Sequence, residues 1–283
     1  MLAGSGLRFA KGHGTENDFV LLPDPDGELE LTPALVRGLC DRRAGLGADG
    51  VLRVVLTGAV PEVAHLADQA RWFMDYRNAD GSLAEMCGNG IRVFARYLIA
   101  AAYARPGSLQ LATRDGVRSV QLGPAGDVTV EMGRPVVSRD GVPVRLGRGS
   151  FVGSRVDLGN PHVVVVLDRS VECMDLTTTP ELPPDRFPFG GNVEVVRVRA
   201  AGALSMRVHE RGVGETRSCG TGACAAVAAV RATRADSRAA RYDVEVPGGR
   251  LRVAVQPDGN LCLSGPAVLV AEGAVSADWL AGW

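Results

Sequence analysis

The chain has 283 residues, is 46% hydrophobic and 22% charged, and carries a formal net charge of −1. That length supports one large core or two ordinary ones, and the balanced charge lacks the basic footprint of a nucleic-acid binder. No run approaches the roughly 20 apolar residues that span a bilayer.

The opening stretch, MLAGSGLRFAKGHG, lacks a signal-peptide apolar core. Six cysteines (40, 87, 173, 219, 224 and 262) form no CxxC pair, so a cytoplasmic protein with free thiols is expected. Lys11 is the only lysine, which leaves almost no room for a Schiff-base or phosphate-gripping lysine.

In chain order, LRFAKGHG and NDFVLL read as strands around a turn. TPALVRGLCDR reads as a helix capped by Thr32 with Pro33 in its first turn. GVLRVVL and WFMDYRN read as strands, and Pro61–Gln69 between them is ambiguous. A helix fits Ile91 to Tyr103, stopped at Pro106-Gly107. SLQLAT, VRSVQLG and DVTVEMG form a meander, the last two joined by a PAG turn.

A second half begins near Pro135 and repeats that order. SFVGSRVDLGNPHVVVVL gives strands around GNPH, followed by NVEVVRVRA and ALSMRVHE. A helix over Ala223–Ala235 precedes RYDVEVPGG, RLRVAVQPDG and NLCLSGPAVLVA.

The repeat holds register. MCGNGIRVFARYL lies over SCGTGACAAVAAV, so that Cys87 and Cys219 are 132 residues apart, as are Asn78 and Glu210, and Gly133 and Gly265. Two similar domains follow, 1–134 and 135–283, with the last strand able to pack back on the first domain. Each domain reads as strands around or against a helix.

In CGNG and CGTG, glycine permits positive φ and close ligand approach. The helix start supplies unpaired N–H groups for a carboxylate and draws a cysteine toward thiolate. One such cysteine is usually packing. Two in register suggest proton removal from one face of a carbon and return on the other, with the developing carboxylate charge met by fixed donors. Cys40, Cys173, Cys224 and Cys262 lack that context and read as inert.

FAKGHGTENDF, GLGADG, YRNADGS, MCGNGIRVFARYL, DLGNPH, GGNVEVV, RVHERGVGETRSCGTGACAA and VPGG together resemble the diaminopimelate epimerases, the actinobacterial type most closely, from about Phe9 to Val270. The resemblance implies an enzyme without PLP or metal that interconverts LL- and meso-2,6-diaminopimelate, usually as a homodimer. It also implies a duplicated α/β fold of the α+β kind, each domain a mostly antiparallel sheet around a central helix, the two closing over the substrate. It places the catalytic pair on Cys87 and Cys219. Donors to the reacting carboxylate fall on Gly88, Asn89, Gly220 and Thr221. Substrate recognition falls on Asn17, Asn78, Asn160, Asn192, Glu210 and Arg211, with His162 in support.

His13 reads as a turn histidine and Asp49 as a supporting residue. Many relatives carry a substrate-contacting glutamine where this chain has Gly50, and the segment around PEVAHLADQARW has no catalytic explanation. The alternatives are a proline or hydroxyproline racemase of the same fold, and a duplicated carboxylate-binding module without catalysis.

Overall fold

The computed structural model describes residues 6–123, 126–233 and 239–283. They form two compact units. One holds the chain up to Val130 together with Pro266–Trp283, and the other holds Glu131–Gly265. The divide falls at 130/131 and again at 265/266. Pro266, which cannot donate to a ladder, separates the last apolar run into strands Leu261–Gly265 and Val268–Val275. The second of these pairs antiparallel with Leu7–Gly14.

In the first unit, Leu7–Gly14 and Asn17–Pro23 form a hairpin. Its two turn residues, Thr15 and Glu16, both hold positive φ (51° and 61°), a conformation that usually calls for Asn or Gly. Asn17–Pro23 runs parallel to Gly50–Leu56, which pairs antiparallel with Trp72–Asn78. Trp72–Asn78 is parallel to Gly107–Thr113, and the meander continues through Gly116–Leu122 to Val128–Gly133.

The second unit repeats this ladder strand for strand. Gly149–Asp157 pairs antiparallel with Pro161–Leu167, which is parallel to Asn192–Ala200. Antiparallel Ala203–Glu210 follows, then parallel Arg241–Val246, then antiparallel Gly249–Val255 and Leu261–Gly265. A bulged strand, Val136–Leu146, flanks Gly149–Asp157 as Val268–Val275 flanks Leu7–Gly14. The matching ladders establish the duplication.

Three helices exceed one turn among the described residues: α1 (Pro33–Cys40), α2 (Gly88–Ala100) and α3 (Gly220–Thr233). Thr32 caps α1 through its side chain, with Pro33 at its start. α2 packs against strands 7–14, 17–23, 116–122 and 268–275, and α3 against 149–157, 161–167, 192–200 and 249–255. α3 is buried without interruption from Gly220 to Val230. A helix enclosed by strands on all sides needs small apolar residues all round, and GTGACAAVAAV supplies them.

Both central helices begin three residues earlier than the sequence pattern suggests. Glycine reads as a turn signal, yet Gly88, Gly90, Gly220 and Gly222 lie inside the first helical turns and are not among the residues with positive φ. α2 ends at Ala100, with Ala102 at φ 58° just beyond it. For α3, the expected extension to residues 234 and 235 lies outside the described residues, as do Pro124 and Ala125 of the PAG turn.

The ambiguous Pro61–Gln69 segment carries a short 3-10 turn, Ala64–Leu66, after another at Thr57–Ala59. It has a packing role: Val63 and Ala70 join Val55, Phe73 and Ala112 in one cluster, and Glu62 pairs with Arg114 at 2.7 Å.

Candidate functional site

Each unit seats a cysteine at the start of its central helix. Cys87 caps α2, its sulfur accepting from Gly90 N at 3.3 Å. Cys219 Sγ accepts from Gly222 N at the same 3.3 Å, while Ala223 N bonds the Cys219 carbonyl. A free thiol thus replaces the usual Ser or Asp cap, and the N-terminal amides around it face the same end of the helix.

The surroundings of the two sulfurs differ. Cys87 is half-buried and Cys219 buried. Burial, then the nearby Glu210 and Glu194 carboxylates, push the Cys219 thiol well up, against the bonds from Thr221 and Gly222. The helix start therefore does not draw Cys219 toward thiolate: desolvation and two carboxylates outweigh it.

In the first unit, Asn17 begins its strand beside α2. Its Oδ1 receives Asn89 Nδ2 at 3.1 Å and the Cys87 thiol at 3.7 Å, and its Nδ2 donates to Asp49 Oδ2 at 2.7 Å. Asp49 also accepts from Asp18 N at 3.2 Å and Arg42 Nη2 at 2.7 Å. Asp18 is bound by Arg42 and Lys11, and those bonds overcome burial to hold its pKa at about 2. Lys11 also donates to the Gly47 carbonyl. Asn89 Oδ1 accepts from the fully buried Arg92 at 3.0 Å. Gly88, Asn89, Asn17 and Cys87 therefore form one cluster, joined by two residues the sequence did not single out as site residues, Asp49 and Arg92.

Asn78 ends its strand, directly across the ladder from Gly50, and its amide bonds Ser82 Oγ at 3.0 Å. A Cβ on Gly50 would lie 2.6 Å from the Arg77 carbonyl and 2.7 Å from the Tyr76 ring. The glycine that stands in place of glutamine is thus demanded by its neighbouring strand. His13 closes its hairpin by accepting Glu16 N at 3.2 Å.

In the second unit, Cys219 Sγ lies 3.4 Å from Thr221 Oγ1. His162 and Asn192 are register partners at the starts of parallel strands. Asn192 Oδ1 accepts Arg211 N at 2.9 Å, and Thr216 Oγ1 bonds the Glu210 carboxylate. Arg211 itself is exposed. His162 is fully buried between Asn160 Oδ1 at 3.0 Å and Glu194 Oε1 at 2.6 Å.

Glu194 is the residue most easily missed. It is fully buried, and a Cβ added to Gly222 would come within 2.7 Å of its Oε1. The signal in the sequence is a lone carboxylate inside the apolar run NVEVV, where a buried charge needs a dedicated partner. Among the described residues, no group of three or more His, Cys, Asp or Glu side chains is placed to hold a metal ion. No described helix is long and apolar enough to cross a membrane.

The fold is similar to that of a hydroxyproline epimerase from Agrobacterium vitis (TM-score 0.68, 14% identity, 98% of this chain and 94% of that one). It is also similar to a Bacillus anthracis phenazine biosynthesis protein of the PhzF family (TM-score 0.68, 16% identity, 96% and 99%). At such identities the likeness concerns the fold alone. Sequence relatives reach further. The diaminopimelate epimerase of Streptomyces coelicolor is 52% identical over 282 residues, 98% of each chain. That of Thermobifida fusca is 55% identical over 273 residues, 95% of this chain and 98% of that one. The family model for diaminopimelate epimerase matches residues 9–138 and 154–270, a span that takes in both cysteine-capped helices. With near-complete coverage at about half identity and both motifs inside the matched segments, the chain belongs to the diaminopimelate epimerase family.

Proposed function

We propose that this enzyme interconverts LL- and meso-2,6-diaminopimelate by two-base proton transfer at one α-carbon, in lysine biosynthesis, as a cytoplasmic homodimer. The observation that carries the mechanism is the duplicated seat, a thiol capping a buried helix in each unit, within a chain of this family. One cysteine, as thiolate, takes the α-proton and becomes a thiol. The C–H electron pair moves into the substrate carboxylate, giving an enediolate-like charge. The other cysteine's thiol protonates the carbon from the opposite face and is left as thiolate. The reverse direction exchanges these roles.

The backbone N–H groups of Gly88, Asn89, Gly220 and Thr221 meet the carboxylate charge. Asn17, Asn78, Asn160 and Asn192 supply amides that donate to carboxylate or accept from ammonium. Arg211 grips a carboxylate through its fork, and Glu210 pairs with an ammonium group. That last pairing has a second effect. Glu210 helps push the Cys219 thiol up, so a substrate ammonium beside it offsets that push and favours the thiolate when substrate is bound. His162 supports the shape of the site through Asn160.

Incubating the reduced enzyme with LL-diaminopimelate in deuterated water, without added PLP or metal, tests the activity. Deuterium should enter one α-carbon as the sample approaches an LL/meso mixture. Absence of exchange beside an active control enzyme would remove the assignment.

A further inference from the structure

Carboxamide groups read the same in either direction, so the orientation of Asn17 must come from its neighbours. At one end of its chain stands Asp49, whose carboxylate meets three donors: Asn17 Nδ2, Asp18 N and Arg42 Nη2. Three donors define it as acceptor. At the other end stands Arg92, which can only donate and gives Nη1 to Asn89 Oδ1 at 3.0 Å and to the Gly88 carbonyl at 2.9 Å. Between them the polarity has one solution: Arg92 to Asn89, Asn89 to Asn17, Asn17 to Asp49. Asn17 Oδ1 is thereby turned to Cys87.

We propose that Asp49 and Arg92 are positioning residues that fix the direction of the Asn89–Asn17 amide chain, so that Cys87 faces a hydrogen-bond acceptor and is held as a thiol in the substrate-free enzyme. The inference rests on reading Cys87 as one of the two proton-transfer thiols. Its consequence is that the two seats keep their protons by different means, Cys87 through a directed acceptor and Cys219 through burial beside two carboxylates. Cys87 donates into a preset acceptor and is poised as an acid.

The charged groups linked to Cys87 through this network are Asp49, Asp18, Arg42 and Lys11 on the hairpin and loop side, and Arg92 from α2. Phe19 and Leu52 pack near the first turn of α2. An acceptor favours the protonated sulfur, so removing it lowers the pH at which Cys87 becomes nucleophilic.

The test is the pH dependence of iodoacetamide alkylation at the Cys87 peptide, resolved by mass spectrometry in the full-length, substrate-free enzyme. Asp49→Asn combined with Arg92→Met removes both fixed ends of the chain, lets the Asn17 amide turn its NH₂ toward sulfur and should lower the midpoint by about one pH unit, roughly tenfold in thiolate fraction. Asp49→Asn alone leaves Asn89 donating to Asn17 and should shift it less. Asn17→Ala should lower it alone, and adding Asp49→Asn to Asn17→Ala should change nothing further. Asp49→Glu, which keeps an acceptor-only carboxylate, should stay near the parent profile.

An unchanged midpoint in Asn17→Ala would overturn the proposal even if Asp49→Asn failed to fold. So would an equal shift from Asp49→Asn in the Asn17→Ala background, which marks a charge acting through space. Alkylation needs no substrate, so failure of the epimerase assay in the parent would break the functional reading and leave this result to stand on its own.

Discussion

The two cysteine seats share a backbone and differ in everything around it. Each sulfur accepts the N–H of the residue three positions on, in the first turn of its helix, at 3.3 Å. Cys87 is half-buried and donates into a carboxamide chain, whereas Cys219 is buried and faced by the charges of Glu210 and Glu194. Duplication fixed the cap, and divergence of the flanking strands set the electrostatics. Under the proposed two-base transfer, like seats allow exchange of roles, while the unlike surroundings hold each proton by a different means: a hydrogen-bond acceptor at Cys87, burial and two carboxylates at Cys219.

Replacing either sulfur tests the shared half of that comparison and should have the largest effect. Cys87→Ala and Cys219→Ala should each lower epimerisation by roughly 10²–10⁴-fold or more, measured by chiral separation of the isomers, with circular dichroism close to the parent.

The carboxylate behind Cys219 comes next. Glu194→Ala strands the buried His162 Nδ1 and should cost about 1–3 kcal/mol in denaturant unfolding, with a loss of activity that Glu194→Gln partly spares.

Paired glycine substitutions then separate the two seats. Gly222→Ala drives a methyl to 2.7 Å from Glu194 Oε1, and the buried, His-bound carboxylate cannot easily retreat. A cost of about 1–3 kcal/mol is expected. At Gly90 the nearest atom is Cys87 Cβ at 3.3 Å. Gly90→Ala should therefore sit near neutral, the gain in helix propensity of roughly 1 kcal/mol offsetting the tighter contact. Equal costs at the two positions would erase the distinction.

The smallest expected effects are opposite pH dependences of stability. Asp18 is held at about 2 in the fold, below its unfolded value of about 3.9. Its stabilisation is present above about pH 4 and is lost as pH falls toward 2, so Asp18→Asn should flatten the acid limb. The Cys219 thiol is pushed the other way. Its contribution is intact below the ordinary thiol range near 8.5 and is lost as pH rises beyond it. Cys219→Ser should flatten the alkaline limb.

Much of this was legible in the sequence. The 132-residue register named both cysteines and the duplication, because a repeated ladder repeats its turns and its alternation. The helix starts were not legible: Gly88 and Gly220 look like loop residues until the burial of the first turn is seen. Strand Val136–Leu146 was hidden by its bulge between Val137 and Gly141, which breaks the period-two pattern. Gly50 looked like a lost contact, while its cause lies on the partner strand at Arg77 and Tyr76. Arg92 and Glu194 were missed for one reason, since a charged residue in a helix or strand reads as solvent-facing unless its partners, distant in sequence, are known.

The two-base claim is tested most directly by the earliest turnover of LL-diaminopimelate in deuterated water. Under the proposed two-base transfer, the first meso product should carry deuterium at the inverted carbon while the remaining LL substrate stays protiated. First-formed meso product that retains the substrate's own proton would point to a single base and contradict the account.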